Sequence, residues 1–213
     1  MTRTGLLGGS FNPAHRGHRR LSLTALDALG LDEIWWLVSP GNPLKPQKGM
    51  APLAARFASA RRAARGAPIR VTAIERELGT IYTADTLAAL VRRYPKRRFV
   101  WLMGADNLAQ FHRWRDWRKI AALVPIAVVT RPGYDADALK APAWGWLRRF
   151  VRPVAMAKDW TSWRPPALVL LNLPPDPTSA TAIRAANPDW HETATKSFHH
   201  KVLRDDLTRR PIV

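Results

Sequence analysis

Short apolar runs alternating with amphipathic ones constrain this chain more than any other feature. Residues 4–7, 33–38, 69–72, 99–103, 125–129 and 168–172 are each brief and apolar on both faces, the pattern of parallel strands buried from two sides. Between them residues 16–29, 52–64, 83–93 and 114–123 carry helical periodicity, and a helical pair follows Ser179. This alternation predicts an α/β fold, an open, mostly parallel sheet with helices on both faces. Pro-rich stretches at 40–46, 165–166 and 174–177 punctuate the pattern without marking a second domain. The 213 residues therefore read as one domain, a core over 1–184 and a short C-terminal helical segment over 185–213. Ligands of such sheets bind beyond the carboxyl ends of the strands. That rule singles out residues 8–18, 39–45, 104–114 and 178–184.

The absence of cysteine removes disulfides, thiolate zinc sites, iron–sulfur clusters and cysteine nucleophiles together. No apolar stretch approaches the roughly 18–20 residues that span a bilayer, and the first residues carry no secretory pattern. The expectation is a cytoplasmic protein with no membrane partner. Lys and Arg number 34 against 16 Asp and Glu, a net charge of +18, which attracts polyanions. The basic residues are scattered rather than gathered in a tail, so a solvated Arg-rich surface accounts for them at least as well as a nucleic-acid site.

The densest chemistry is Gly8-Gly9-Ser10-Phe11-Asn12-Pro13-Ala14-His15-Arg16-Gly17-His18. Gly8 and Gly9 remove side chains where a ligand could approach the main chain. Asn12 and Pro13 predict a helix start, Asn12 as cap and Pro13 where no N–H is needed. His15 and His18, three apart, then share a face of the first turn, where free N–H groups and the helix dipole suit an anion. A zinc pair on a helix more often has i, i+4 spacing with a glutamate between, and no third ligand is near, so no protein metal site is expected. A core role could explain one histidine but explains poorly why both sit in a Gly-rich strand-to-helix turn. The residues favour phosphate binding.

The same residues resemble the G-x-F-D/N-P-x-H-x-G-H signature of the HxGH nucleotidyltransferases, enzymes that move a nucleoside monophosphate from an NTP to an acceptor phosphate and release pyrophosphate. Residues 178–184 resemble that superfamily's I-S-S-T-x-I-R motif, with Thr178 for the usual Ile and Ala180 for one Ser. Three further segments resemble the bacterial nicotinate-nucleotide adenylyltransferases: 40–45 their P-x-N-P-x-K loop, 77–87 their G-x-x-Y-T-x-D-T-L segment, and 103–114 their G-A-D-x-x-x-x-F-x-x-W run. The resemblance covers about residues 5–184, in order; the tail beyond carries no motif.

The resemblance implies a Rossmann-like nucleotidyltransferase core and transfer of AMP from ATP to nicotinate mononucleotide, giving deamido-NAD and pyrophosphate in NAD biosynthesis, with Mg²⁺ carried on ATP. By position it implies that Gly8, Gly9, Ser10, Phe11, His15, His18, Gly104, Asp106, Ser179, Thr181 and Arg184 bind ATP, with His15, His18 and Arg184 catalytic. Asn42, Lys45, Thr83 and Trp114 would bind the mononucleotide, Trp114 stacking on the pyridine ring and Thr83 receiving its carboxylate. Local readings stand beside these: Asp106 as a cap for residues 107–111, Thr83 as a cap, Lys45 as a solvated loop lysine. Trp117 reads as helix packing, as does the tail. The alternatives are a nicotinamide-preferring or other phosphate-acceptor enzyme of the same fold and, from another class, an RNA-binding module on an inactive one.

Overall fold

A computed structural model describes residues 1–41, 49–130, 136–174, 178–196 and 202–212. In chain order the elements are β1 (Thr2–Gly9), α1 (Arg16–Leu29), β2 (Glu33–Val38), α2 (Leu53–Ala64), β3 (Ile69–Thr72), α3 (Ile74–Leu78), α4 (Thr83–Arg93), β4 (Arg97–Gly104), α5 (Ala105–Gln110), α6 (Trp117–Leu123), β5 (Ile126–Thr130), α7 (Ala136–Lys140), α8 (Pro142–Leu147), β6 (Leu168–Asn172), α9 (Ala180–Ala186) and α10 (Trp190–Lys196). The strands form one parallel six-stranded sheet in the order β3-β2-β1-β4-β5-β6. This is the Rossmann-like doubly wound arrangement. Its order reverses between β1 and β4, so the loops after those strands flank the crevice where such sheets take ligands.

Strand β2 shows why the sheet is buried on both sides. Its side chains alternate: Ile34, Trp36 and Val38 pack with Leu29 and Phe57 on one face, Trp35 and Leu37 with Leu87 and Leu90 on the other. All six residues are buried, as period two requires when helices cover both faces. The large indoles keep their polar ends satisfied: Trp36 Nε1 donates to Ser22 Oγ at 2.8 Å and Trp35 Nε1 to Glu33 Oε1 at 2.9 Å. Glu33 also pairs with Arg70 at 2.7 Å and with Arg97. Helix α1 ends where Gly30 takes φ 58 and turns its N–H back on the last carbonyls.

Two features differ from the sequence reading. The helix expected from residue 114 begins at Trp117, because residues 111–113 form a 3₁₀ turn and Asp116 takes φ 53 before the helix starts. The tail, read as helical throughout, is helical in α10, whereas residues 202–212 form a turn with a bridge between Arg204 and Pro211. Asp205 organises that turn. Its Oδ1 accepts from the N–H groups of Leu207 and Thr208, and its Oδ2 from Ala73 N at 2.7 Å and Thr72 Oγ1 at 3.0 Å. Asp206 exchanges hydrogen bonds with both backbone groups of Val71, so the tail closes the outer edge of β3. None of the described helices is long and apolar enough to cross a membrane. Replacing Asp205 by Ala leaves the buried Ala73 N–H and Thr72 hydroxyl without this acceptor, and thermal unfolding should show a loss of about 2–4 kcal/mol; an unchanged midpoint would mean that the tail does not anchor the edge.

Candidate active site

The turn after β1 is built by its side chains. An added Cβ on Gly8 would stand 2.6 Å from Trp101 Cη2, so the strand can end there only without a side chain. Phe11 takes φ 46 and buries its ring against Trp36, centroids 5.0 Å apart. Asn12 does not cap α1. Its side chain is turned to another segment, Nδ2 donating to Gly49 O at 3.0 Å and Oδ1 accepting from Ala51 N at 3.2 Å. His15 is the cap: its Nδ1 accepts from Gly17 N at 3.1 Å, and His18 Nδ1 accepts from His15 N at 3.2 Å. Two imidazoles thus form a reciprocal capping box, their rings 4.0 Å apart. With Nδ1 an acceptor in both, the neutral rings carry their protons on Nε2. Gly17 is required by the same packing, since an added Cβ would lie 2.9 Å from the His15 ring.

The other loops complete a cavity of about 750 Å³ at the switch point. Gly8, Gly9, Ser10, Phe11, His15 and His18 form one wall, joined by Ser179. Ser179 caps α9, its Oγ accepting from Ala182 N at 3.1 Å. Arg184 reaches the turn from behind, Nη1 donating to Asn12 O at 2.6 Å and Nη2 to Thr181 Oγ1 at 3.2 Å; neither Arg184 nor Thr181 lines the cavity itself. Gly104 and Asp106 lie at the end of β4. Gly104, not Asp106, precedes α5, which places Asp106 in the first helical turn with its carboxylate folded back over Gly104.

Thr83 and Trp114 line the remaining wall. Tyr82 holds the cap position of α4, so Thr83 is its first residue rather than its cap. The Trp114 plane is set by edge contacts with Trp101 at 6.2 Å and Phe111 at 5.3 Å. Trp117 packs on Phe111 and Trp146 and does not line the cavity, in keeping with its packing reading. Arg115 stacks on Tyr82, 4.5 Å from the ring centroid. Asn42 and Lys45 lie outside the described residues.

Three residues that sequence reasoning missed shape the site. Arg56 is buried, and its guanidinium donates to four carbonyls: Ser10 at 2.8 Å, Ser39 at 2.7 Å, Ala51 at 2.9 Å and Pro40 at 3.3 Å. Trp101, between Gly8 and Trp114, has its Nε1 buried without a protein partner among the described residues. Glu75 lines the cavity beside Ser39 and accepts from Thr86 Oγ1 at 3.2 Å. Burial pushes its carboxyl up to about 7, against the opposing hydrogen bonds of Thr86 and Ser39. Nothing in the pattern marked these positions; Glu75 falls two residues before the segment that drew attention. Among the described residues no three His, Cys, Asp or Glu side chains gather as a metal site.

A parallel sheet whose switch point carries a capping pair of imidazoles and a Ser-capped turn around one cleft defines a nucleotide-binding domain that handles phosphates. The cytidylyltransferase-like family matches residues 6–186. A protein of Erythrobacter litoralis described as a probable nicotinate-nucleotide adenylyltransferase is 60% identical over 210 residues, 99% of this chain and 94% of that one. One from Cereibacter sphaeroides with the same description is 56% identical over 181 residues, 85% of this chain and 96% of its own. The solved nicotinic acid mononucleotide adenylyltransferase of Plasmodium falciparum, complexed with NaAD, shares the fold at a TM-score of 0.65 and 15% identity, over 93% of this chain and 97% of that one. The chain belongs to the cytidylyltransferase-like family and, within it, to the nicotinate-nucleotide adenylyltransferases.

The position of Glu75 has a measurable consequence for stability. An unfolded chain releases this proton near 4.5, the native state near 7. Between those values the native state binds the extra proton, so folding weakens as pH rises through the window. Glu75→Gln removes the titration. Its unfolding midpoint should gain on the wild type between about pH 5 and pH 7.5 and run parallel above; a constant difference across the range would place the titration elsewhere.

Proposed function

We infer that this chain transfers AMP from ATP to nicotinate mononucleotide, releasing pyrophosphate and forming deamido-NAD, a step of NAD biosynthesis. The observation that carries the reading is one cavity that brings the two-histidine turn, Asp106 and Ser179 together with Thr83 and Trp114. The names of its relatives agree.

A phosphate oxygen of the mononucleotide attacks the α-phosphorus of ATP, a new P–O bond forms, and the bond to the bridging oxygen of the leaving pyrophosphate breaks. The second pKa of a phosphate monoester is about 6, so the attacking group is mostly dianionic at neutral pH and no general base is needed. What the protein supplies is alignment and charge stabilisation. His15 and His18 donate from Nε2 to the phosphates around the reacting centre. Ser179 at the cavity wall holds the β- and γ-phosphates, Thr181 and Arg184, which do not line the cavity, being assigned to them by the 178–184 motif alone, while Gly8, Gly9, Ser10 and Phe11 let the nucleotide lie against the main chain. Asp106, beside Gly104, accepts from the ribose hydroxyls. Trp114 offers its face to the pyridine ring, and Thr83 with the first amides of α4 receives the carboxylate. Asn42 and Lys45 are assigned to the mononucleotide, Lys45 to its phosphate. Glu75, whose carboxyl burial pushes up to about 7, carries its full negative charge only above that value.

Mg²⁺ is assigned to ATP as its companion; carried there, it would neutralise phosphate charge. The whole chain 1–213 acts as one nucleotidyltransferase domain, its tail a packing element, and a cysteine-free composition suits the reducing cytoplasm.

Pyrophosphate release from ATP and Mg²⁺ should be strongly favoured by nicotinate mononucleotide over nicotinamide mononucleotide. Equal use would overturn the assignment of Thr83, and release with neither would overturn the function. His18→Ala should lower turnover about 10²–10³-fold while costing only about 1 kcal/mol of stability for the lost cap; near-normal turnover would remove His18 from the reaction.

A further inference from the structure

A cation that the proposed reaction does not use stands beside the wall assigned to the mononucleotide. Arg115 follows Trp114 in the chain, is exposed, and lines the same cavity as Tyr82, Thr83 and Trp114. Its guanidinium lies 4.5 Å from the centroid of the Tyr82 ring, and Tyr82 immediately precedes the first residue of α4. A guanidinium stacked on a ring keeps its N–H groups in its own plane, directed outward rather than at the ring. Of its nitrogens only Nε has a charged partner, Asp116 Oδ2 at 3.8 Å, in a pair whose side chains are both more than half exposed; such pairs contribute little. The two terminal nitrogens make no hydrogen bond or ion pair among the described residues. Tyr82 thus holds a planar fork of donors at the cavity wall.

We propose that Arg115 is a specificity-determining residue, its guanidinium pairing with the carboxylate of the pyridine ring and so favouring the acid over the amide. The proposal rests on the reading that Trp114 takes the pyridine ring and the start of α4 its carboxylate. The first amides of α4 receive no side-chain cap, so they can meet one carboxylate oxygen while the fork of Arg115 meets the other. Amides alone discriminate poorly, because a carboxamide also presents them with a carbonyl oxygen. A guanidinium has donors and no acceptor. The NH₂ of a carboxamide finds nothing there to accept it, and the cation finds no counter-charge, which is how a polar site rejects an analogue. Stacking on Tyr82 reduces the freedom that Arg115 loses when it binds. Arg113 lines the cavity too, but among the described residues no ring holds it. Nor can the net charge of +18 supply the distinction alone, since it draws equally on the phosphate that both mononucleotides carry.

The test compares kcat/KM for nicotinate mononucleotide and nicotinamide mononucleotide on the full chain, with ATP and Mg²⁺, in the wild type, Arg115→Gln and Arg115→Lys. The ratio of acid to amide isolates the pyridine substituent, because ribose and phosphate are common to both. In Arg115→Gln it should fall at least about five-fold, the factor for one charge pair at contact distance in water. The fall should come from a raised KM for the acid rather than a lowered kcat, since the carboxylate is not a reacting group. Arg115→Lys keeps the charge without the fork and should recover part of the ratio; it carries the test if the Gln variant does not fold. A wild-type preference that survives Arg115→Gln, a loss shared equally by the two mononucleotides, or a Lys variant no better than Gln overturns the proposal alone. Equal use of the two mononucleotides by the wild type overturns the assignment of the carboxylate to α4, and this proposal with it.

Discussion

The site depends on a charge buried without a counter-charge. Arg56 has 1% of its surface exposed, and among the described residues no carboxylate pairs with it. Burial pushes its pKa down, yet a guanidinium remains protonated in a protein, so its charge must be solvated from within. Four carbonyl dipoles do this, from the loop after β1, the loop after β2 and the residues entering α2. The dependence runs both ways. The cation needs the carbonyls, and the carbonyls, directed inward, need a donor with several N–H groups in a planar fork, which lysine does not offer. The parallel sheet places two loops side by side at its switch point; Arg56 makes them one rigid wall.

On that wall the phosphate chemistry follows from local geometry. A helix start leaves amide N–H groups without acceptors, and an ordinary cap would satisfy them with an oxygen. Here two imidazole nitrogens serve as the acceptors, so the capping itself sets the tautomer with the proton on Nε2. Gly17 is where the two demands meet, since its missing side chain makes room for the His15 ring. The carboxyl of Glu75, which also lines the cavity, is buried and holds its proton well above the ordinary range. A net charge of +18 on the whole chain favours the approach of anions.

Much of this was legible in the sequence, for identifiable reasons. The strands β2, β3 and β6 and the helices α1 and α4 have the bounds that the apolar pattern implies, because the strands are short continuous apolar runs and the helices are long enough for a period of 3.6 to show. Helices α3, α5, α7 and α8 span five or six residues, too few for a period to emerge. The cap of α1 was misread because Asn12-Pro13 is a strong local signal, whereas the hydrogen bonds that turn Asn12 away come from residues 37 and 39 positions on. The offsets at Thr83, by one residue, and at Asp106, by two, arise because caps are decided by backbone angles that composition does not encode. Arg56 and Glu75 were invisible because a charged residue in an amphipathic stretch reads as solvent-facing until the fold buries it.

The central claim is that His15 and His18 are held as Nε2–H donors by the cap they form and present those protons to phosphate. Nitrogen-15 NMR of the histidine side chains tests it directly, because protonated and unprotonated ring nitrogens resonate far apart. The account predicts unprotonated Nδ1 and protonated Nε2 in both rings of the free protein at a pH where they are neutral, with the Nε2 signals moving when α,β-methylene ATP is added. Protons on Nδ1, or Nε2 signals that do not respond to the nucleotide, would contradict it.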